Sequence, residues 1–197
     1  TDPRLFAGES LRLLREIAGD AAFGLSVTEK EAQVQYLSFH DPLTGFANRT
    51  LFQDRVAQAL GRARHARRAL AVMAVSVERL VQINDIFGRG TGDAVLRAVA
   101  QALSAGLREG DTIARLSGHQ FGLLLADLAH AEDAAAVARR LLDRCPAAVP
   151  GPHGEVTFGL AAGVAIFPQD GEDTEHLIRH AELAMHSAVP ETGYTLA

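Results

Sequence analysis

The 197-residue sequence contains one cysteine, Cys145, so no disulfide bond can form within the chain. Such sparing use of cysteine is typical of proteins kept in a reducing compartment. The sequence also lacks a continuous apolar run long enough to span a bilayer, and its first residues lack the layout of a signal peptide. These absences lead us to expect a cytoplasmic protein, or the cytoplasmic part of a larger one.

An excess of basic residues is missing as well. The 19 Lys and Arg residues are outnumbered by 24 Asp and Glu residues, which gives a formal net charge of −5. This balance argues against a general nucleic-acid binder and against a basic module that binds membrane surfaces. Because 48% of the residues are hydrophobic and 22% are charged, the composition predicts a folded domain rather than a disordered chain.

The first 38 residues have the spacing of a long helix. Between residues 9 and 38, apolar and small residues recur four and three positions apart, as in a helical seam, at Leu14, Ala18, Ala21, Leu25, Thr28 and Ala32. We expect a connecting or dimer-forming helix, or the tail of an upstream sensory domain. A helix packed back onto the rest of the chain is the alternative. Since the sequence starts with Thr1 rather than Met, we also expect a segment of a longer, multidomain protein.

Residues 39–197 alternate between helical and strand patterns. Apolar periodicity predicts helices over 50–67, from 81 onward, and over 94–107, 133–144 and 174–188. Apolar or β-branched runs predict strands over 70–77, 112–116, 121–126 and 156–167, with a tight turn at 117–120. Glycine and proline predict a turn over 88–93 and a loop over 150–154. Helices interleaved with strands indicate one layered α/β domain over residues 39–197, preceded by the helix over 1–38.

Several motifs follow one another in this domain in a recognisable order. DPLTGFANR at 41–49 is followed by IND at 83–85, by Gly88 and Gly92-Asp93, and by ARLSGHQF at 114–121. Together they resemble the GGDEF domain of diguanylate cyclases. The resemblance implies an α/β (α+β) fold with a central, mainly antiparallel sheet flanked by helices, related to the palm of nucleotidyl cyclases. It also implies that family's activity, the formation of cyclic di-GMP from two GTP molecules with Mg²⁺ held by carboxylates.

The acidic positions of that family are occupied by other residues here. Ser76 stands where the resemblance implies the first-strand aspartate, and the signature turn reads Ser117, Gly118, His119, Gln120 and Phe121. A hydroxyl, an imidazole and an amide do not supply the negative charge that holds Mg²⁺. The family's phosphate-binding lysines are likewise replaced, by Val81 and Val189. We therefore expect no catalytic residue, no metal and no cofactor, with Mg²⁺ needed only if residual cyclase activity exists.

Two alternatives to this interpretation stay open. Glu78, two positions beyond Ser76, could act as a substitute metal ligand. His119 and Gln120 could belong to a site for a softer metal, although a polar turn without metal explains them as well.

Two pairs of residues keep the family's pattern. Asn84 and Asp93 are similar to its guanine-binding pair, since an amide and a carboxylate can bind the purine edge; capping of the adjacent turn and helix is the alternative. Arg108 and Asp111 match the R-x-x-D motif of its inhibitory cyclic di-GMP site, with Arg115 as a supporting arginine. A surface ion pair between Arg108 and Asp111 is the other interpretation of that motif.

The resemblance thus favours a catalytically inactive GGDEF domain with a regulatory or signal-transmitting role, binding cyclic di-GMP at the R-x-x-D site. Two alternatives are a residual diguanylate cyclase and a GTP-binding allosteric module for an EAL phosphodiesterase domain. The partners implied are cyclic di-GMP or GTP, neighbouring sensory and EAL domains, and a second copy of the chain paired through the N-terminal helix. No nucleic-acid partner is expected.

Overall fold

The computed structural model describes residues 34–188 and 194–196. The chain divides between Ser38 and Phe39 into two units. Most of the predicted N-terminal helix lies outside the described residues, and residues 34–39 are helical. The second unit contains, in chain order, β1 (Ala47–Asn48), α1 (Arg49–Ala66), β2 (Ala69–Glu78), α2 (Leu80–Phe87), α3 (Arg89–Ala105), β3 (Thr112–Arg115), β4 (Gln120–Leu128), α4 (Asp133–Leu142), β5 (Ala148–Gly151), β6 (Gly154–Thr157), β7 (Gly159–Phe167), α5 (Thr174–His186) and β8 (Tyr194–Leu196).

Six strands form the main sheet, in the order β1-β3-β4-β2-β7-β8. The four inner strands pair antiparallel with one another, and the two edge strands, β1 and β8, each pair in parallel with their neighbour. Strands β5 and β6 form a separate two-stranded sheet. The main sheet is therefore mainly antiparallel, as the resemblance implied.

Strand β2 lies in the middle of this sheet and is apolar on both of its faces. Met73 and Val75 belong to a core shared with α3 and α4, whereas Leu70 and Val72 belong to a core shared with α1 and α5. Alternate side chains of a strand point to opposite faces, so a strand covered on both sides by helices reads as one continuous apolar run. Each large aliphatic side chain buried in this way contributes about 1.5–3 kcal/mol.

Two helices begin at side-chain caps. The carboxamide of Asn48 accepts a hydrogen bond from the Leu51 N–H at 3.1 Å at the start of α1. The carboxylate of Asp173 accepts one from the His176 N–H at 2.9 Å at the start of α5. That backbone hydrogen bond, together with a bond from the His176 side chain, lowers the pKa of the Asp173 carboxyl below its usual range. Each cap satisfies a backbone donor that the helix itself leaves unpaired.

Helix α5 packs against β7 at Gly163. A Cβ atom at this position would collide with backbone atoms of Ala181 and Met185, so no side chain fits between the strand and the helix. Close approach of another backbone is one of the reasons for which a glycine stands inside a strand.

The glycine-rich segment 88–93 is not the turn that its composition predicts. Only Gly88, with φ of 83°, stands outside the helices, and α3 already begins at Arg89. The suggestion that Asp93 caps a helix beginning at Ala94 is therefore wrong, because Asp93 lies within the first turns of α3. Among the described residues, the Asn84 side chain caps no helix or turn; the Asn84 backbone carbonyl accepts the Gly88 N–H at 3.0 Å.

The single strand predicted over 156–167 is in fact two strands in two different sheets. Strand β6 pairs with β5, and β7 begins at Gly159 and pairs with β2. Part of the predicted loop over 150–154 belongs to the small hairpin of β5 and β6. Pro150 is tolerated in β5 because an edge strand has positions at which the missing N–H is not needed. Within the described part of the chain, no helix is both long and apolar enough to cross a membrane.

Candidate functional site

Ser76 and Gln120 lie directly opposite each other on neighbouring antiparallel strands. The register of β2 and β4 pairs Ser76 with Gln120, and the register of β2 and β7 pairs Ser76 with Ala161. Side chains in such direct cross-strand pairs have Cβ atoms about 4.5–5.5 Å apart. The fold thus brings together two of the positions at which the resemblance implies carboxylates, and both positions carry uncharged side chains.

The signature turn is held by hydrogen bonds within the protein. The Leu116 N–H donates to the Gln120 carbonyl at 2.8 Å, and the Val77 N–H donates to the His119 carbonyl at 2.9 Å. The Ser117 hydroxyl donates to the Gln120 side-chain carbonyl at 3.2 Å. The Gln120 oxygen that could face a cation is therefore engaged by the turn itself.

Glu78 is the acidic residue nearest in sequence to Ser76. It is the last residue of β2, so the strand continues far enough for Glu78 to share the face of Ser76. Its carboxylate lies against Gly159 of β7, and its side chain is exposed. Among the described residues, no three His, Cys, Asp or Glu side chains form a group that could hold a metal ion.

Arg115 joins the signature turn to the turn that begins at Asp41. One guanidinium nitrogen, Nη1, lies 3.1 Å from Asp41 Oδ2 and 3.2 Å from Oδ1, and Nη2 donates to the Gly118 carbonyl at 2.7 Å. Both side chains are only 15% exposed. Asp41 Oδ1 also accepts from the backbone N–H and the hydroxyl of Thr44, at 2.9 and 2.8 Å. Arg115 was predicted to support a ligand site, and the structure uses its guanidinium to position two turns.

Asn84 and Asp93 meet where α2 and α3 approach each other. A Cβ atom on Gly92 would collide with the Asn84 carboxamide, so the absence of a side chain at Gly92 lets the two helices approach. Asp93 follows directly in α3, and both Asn84 and Asp93 are half-buried. The amide and the carboxylate thus border one helix junction.

Arg108 and Asp111 lie in the loop between α3 and β3. Asp111 Oδ2 accepts from the Arg108 backbone N–H at 3.0 Å, and Oδ1 accepts from the Ala126 N–H at 3.1 Å. Among the described residues, the Arg108 guanidinium forms no ion pair with Asp111, so the interpretation of this motif as a surface ion pair is wrong. The carboxylate instead fixes the loop and leaves the arginine side chain exposed.

A groove of about 400 Å³ runs beside this loop. Arg108, Asp111, Arg55 and His40 line it, among others. The Arg55 guanidinium, on α1, donates to the Thr112 hydroxyl at 3.4 Å, which places a second cation at the groove. The structure thus gathers two guanidinium groups and two carboxylates, those of Glu109 and Asp111, at an open surface.

Val81 stands near the start of α2, where the resemblance implies a phosphate-binding lysine, and its side chain is 71% exposed. Val189, the other residue that replaces a lysine, lies outside the described residues.

The chain is similar to known proteins in both its sequence and its structure. A family model described as the diguanylate cyclase GGDEF domain matches residues 38–193. The chain belongs to the GGDEF family. It is 34% identical over 161 residues to the diguanylate cyclase TpbB of Pseudomonas aeruginosa, and 32% identical over 157 residues to the cyclic di-GMP phosphodiesterase NbdA of the same organism.

These matches cover 81% and 80% of this GGDEF chain but only 37% of TpbB and 20% of NbdA. The solved GGDEF domain of TpbB matches with a TM-score of 0.73 at 34% identity, over 80% of this chain and 91% of that one. Both the resemblance to the family and the predicted sheet flanked by helices are confirmed.

Two residues that line the groove of this GGDEF domain were not predicted from its sequence. Arg55 is one of several exposed arginines on α1, and His40 precedes the DPLTGFANR motif. Neither stands in a local pattern with Arg108. They reach the groove because β1, between His40 and α1, pairs in parallel with β3. Only knowledge of that long-range pairing would have singled them out.

Proposed function

We propose that this GGDEF domain does not form cyclic di-GMP and acts as a regulatory domain in cyclic di-GMP signalling. The observation that carries the proposal is the Ser76–Gln120 pair, in which two facing positions at the end of β2 and the start of β4 are uncharged. Mg²⁺ is bound through carboxylates and phosphates and gives up its water reluctantly. The residues present do not fit that ion, so the proposal includes no step that depends on it.

Val81, at the position where the resemblance implies a phosphate-binding lysine, supports the same conclusion. Transfer of a nucleotidyl group places negative charge on phosphate oxygens, and its catalysis depends on cations that neutralise that charge. An exposed valine at position 81 supplies none. The carboxylates implied for metal binding and one lysine implied for phosphate binding are therefore all replaced in this domain.

The regulatory role we propose is the binding of cyclic di-GMP at the groove beside Arg108. Arginine binds phosphate or the edge of guanine through two parallel N–H bonds. Arg108 is exposed, and Arg55 faces the same groove. Asp111 uses each of its oxygens for one backbone N–H, and an ionised carboxylate has about four acceptor positions. It can therefore still accept from the N–H groups of guanine.

The relatives of this chain support the idea that the domain is part of a larger signalling protein. By their names, one relative forms cyclic di-GMP and another hydrolyses it, and this chain matches a minor part of each. We propose that residues 1–38 connect the domain of residues 39–197 to an upstream sensory domain or to a second copy, and that an EAL domain is its regulated partner.

An assay of product formation tests the loss of catalysis. The purified chain, incubated with GTP and either Mg²⁺ or Mn²⁺, should yield no cyclic di-GMP by chromatography. The variant Ser76→Asp/Gln120→Glu should gain Mn²⁺ binding in a calorimetric titration, because it places two carboxylates in one cross-strand pair. Ser117→Asp adds an acid to the same turn outside that pair and should not gain it. Product formation by the unmodified chain would overturn the proposal.

A second titration tests the groove. Cyclic di-GMP should release heat on mixing with the unmodified chain, and Arg108→Ala should abolish that heat. Arg97→Ala removes an exposed arginine of α3 that does not line the groove and should bind as the unmodified chain does. Equal binding by all three proteins would place the ligand elsewhere, and no heat from any of them would reject the receptor role.

The junction of Asn84 and Asp93 favours a second candidate, a GTP-binding allosteric module for an EAL domain. An amide and a carboxylate at one helix junction can accept from and donate to guanine. A GTP titration distinguishes the two functions. Heat with GTP that is lost in Asp93→Ala and kept in Arg108→Ala would support the module, and the reverse pattern with cyclic di-GMP would support the receptor.

A further inference from the structure

Two histidines lie one turn apart near the start of α5. His176 and His180 are separated by four positions, so their side chains project from neighbouring turns on one side of the helix. Their ring centroids are 6.1 Å apart, and the ring planes are tilted by 53°. His176 is exposed and His180 is half-buried, which leaves this side of α5 accessible to solvent.

Each ring uses its Nδ1 atom to bind an acceptor. His176 Nδ1 lies 2.6 Å from Asp173 Oδ2, and His180 Nδ1 is bonded to the backbone carbonyl of Asp170. A carboxylate and a carbonyl accept hydrogen bonds, so in the neutral rings both Nδ1 atoms carry the proton and both Nε2 atoms carry a lone pair. Histidines that bind metals have this arrangement, with one ring nitrogen on the metal and the other N–H donated to a carboxylate or carbonyl.

The two acceptors are themselves held in place. Asp173 is the N-cap of α5 and accepts from the His176 backbone N–H through its other oxygen, at 2.9 Å. Asp170 accepts from the Ile166 N–H at 2.6 Å through its carboxylate, and its own N–H donates to the Ile166 carbonyl at 2.7 Å. Both rings are therefore oriented by groups anchored to β7 and to the start of the helix.

We propose that His176 and His180 bind one Zn²⁺-class cation, such as Zn²⁺, Ni²⁺ or Cu²⁺, through their Nε2 atoms. Imidazole nitrogen suits these ions and not Mg²⁺. A tetrahedral Zn²⁺ about 2.0 Å from both nitrogens would hold the ring centroids about 5 Å apart, within reach of small side-chain rotations from the observed separation. Since no third His, Cys, Asp or Glu side chain completes a group in the described residues, the other coordination positions would be left to water.

A bound ion would tie the helix to the loop before it. His180 is bonded to Asp170 in that loop, and His176 is bonded to the N-cap residue. The cation would therefore stabilise the connection between β7 and α5. This site does not depend on the proposed function, because none of its residues belongs to the signature turn or to the groove.

Zinc titration of the whole chain, freed of any histidine tag, tests the proposal. Calorimetry with Zn²⁺ should give one site per chain, and His180→Ala should lower the affinity by at least about tenfold, as loss of one of two ligands requires. Asp173→Ser keeps an N-cap oxygen and removes the carboxylate, so it should weaken binding by about tenfold through loss of the orienting bond. Mg²⁺ should give no heat.

His186→Ala is the matched control. His186 lies on the same helix, is exposed, and bonds a backbone carbonyl through Nδ1 at 2.6 Å, but it lies six positions from His180. Its replacement should leave Zn²⁺ binding unchanged. Far-UV circular dichroism without metal establishes that each variant is folded. Binding that survives both His176→Ala and His180→Ala, or that falls equally in His186→Ala, would overturn the proposal.

Discussion

Removal of one member of the Arg115–Asp41 ion pair should be among the most destabilising single polar changes in this domain. Replacing Asp41 by Asn keeps the size of the side chain and an oxygen that can still accept from Thr44. It removes the charge and places an NH₂ or an uncharged oxygen against the Arg115 Nη1 atom. The perturbation is therefore confined to one pair and to the guanidinium that it leaves behind.

The size of the effect follows from burial. Both side chains are 15% exposed, and the Nε atom of Arg115 is buried without a hydrogen-bond partner within the described structure. Removing one member of a buried pair leaves the other charge uncompensated, which lowers the free energy of unfolding by about 3–5 kcal/mol. Residual exposure places Asp41→Asn at the lower end of that range, about 3 kcal/mol. For a chain of this length the melting temperature should fall by about 6–12 °C.

Urea denaturation followed by far-UV circular dichroism measures this loss, and the chain supplies its own control. Arg68 and Asp127 form an ion pair at 2.9 Å whose side chains are 45% and 71% exposed. Asp127 has a φ of 54°, a conformation that Asn tolerates equally well, so Asp127→Asn should change the free energy of unfolding by less than about 1 kcal/mol.

The double variant Asp41→Asn/Arg115→Gln should lose less than the sum of the two single changes, because each single change leaves one partner stranded. If Asp41→Asn were no more destabilising than Asp127→Asn, the argument that burial strengthens this pair would be refuted.

Two further predictions concern packing and titration. Gly163→Ala should destabilise the domain by at least about 2 kcal/mol, because the new Cβ meets backbone atoms that cannot rotate away. Gly61 lies in α1 and has nothing within 4 Å of a Cβ, so Gly61→Ala should stabilise the domain by about 0.5–1 kcal/mol. Similar losses of stability in both variants would contradict the close packing at Gly163. Burial raises the pKa of the Cys145 thiol to about 11 from 9.0, so an uncharged disulfide reagent should label it at least about tenfold more slowly at neutral pH than in the urea-unfolded chain. Because only the thiolate reacts, its labelling rate should keep rising above pH 9.0 towards about 11, and a plateau near 9.0 would show that the thiol is not buried.

The sequence predicts those elements whose pattern is local. The strand predicted over 70–77 is β2, Ala69–Glu78, because a buried central strand is apolar at every position. The hairpin predicted over 112–126 is formed by β3 and β4, with a polar turn between two apolar runs. The last helix, predicted over 174–188, is α5, Thr174–His186, which begins at an aspartate cap.

The errors arise where packing between distant segments outweighs local preference. Glycines at 90 and 92 indicate a turn by their propensity, yet they lie in α3, where Gly92 has no side chain to collide with Asn84. Periodicity likewise shows that residues 156–167 are extended but not which strand each part pairs with, so the division between β6 and β7 could not be predicted. The same holds for the groove, where Arg55 and Arg108 come together only through the pairing of β1 with β3.

The strand register that places Ser76 opposite Gln120 does not depend on either of these residues. The adjacent pair Val75 and Phe121 is completely buried, and a slip of one residue would turn such side chains to the wrong face of the sheet. Apolar burial therefore holds the strands in place while the polar residues at their ends are free to change. Arg115 and Asp41 have a similar structural role, since their ion pair holds the two turns together. The packing that fixes the register thus involves buried apolar residues, whereas the end of β2 and the start of β4 carry Ser76 and Gln120, an uncharged pair.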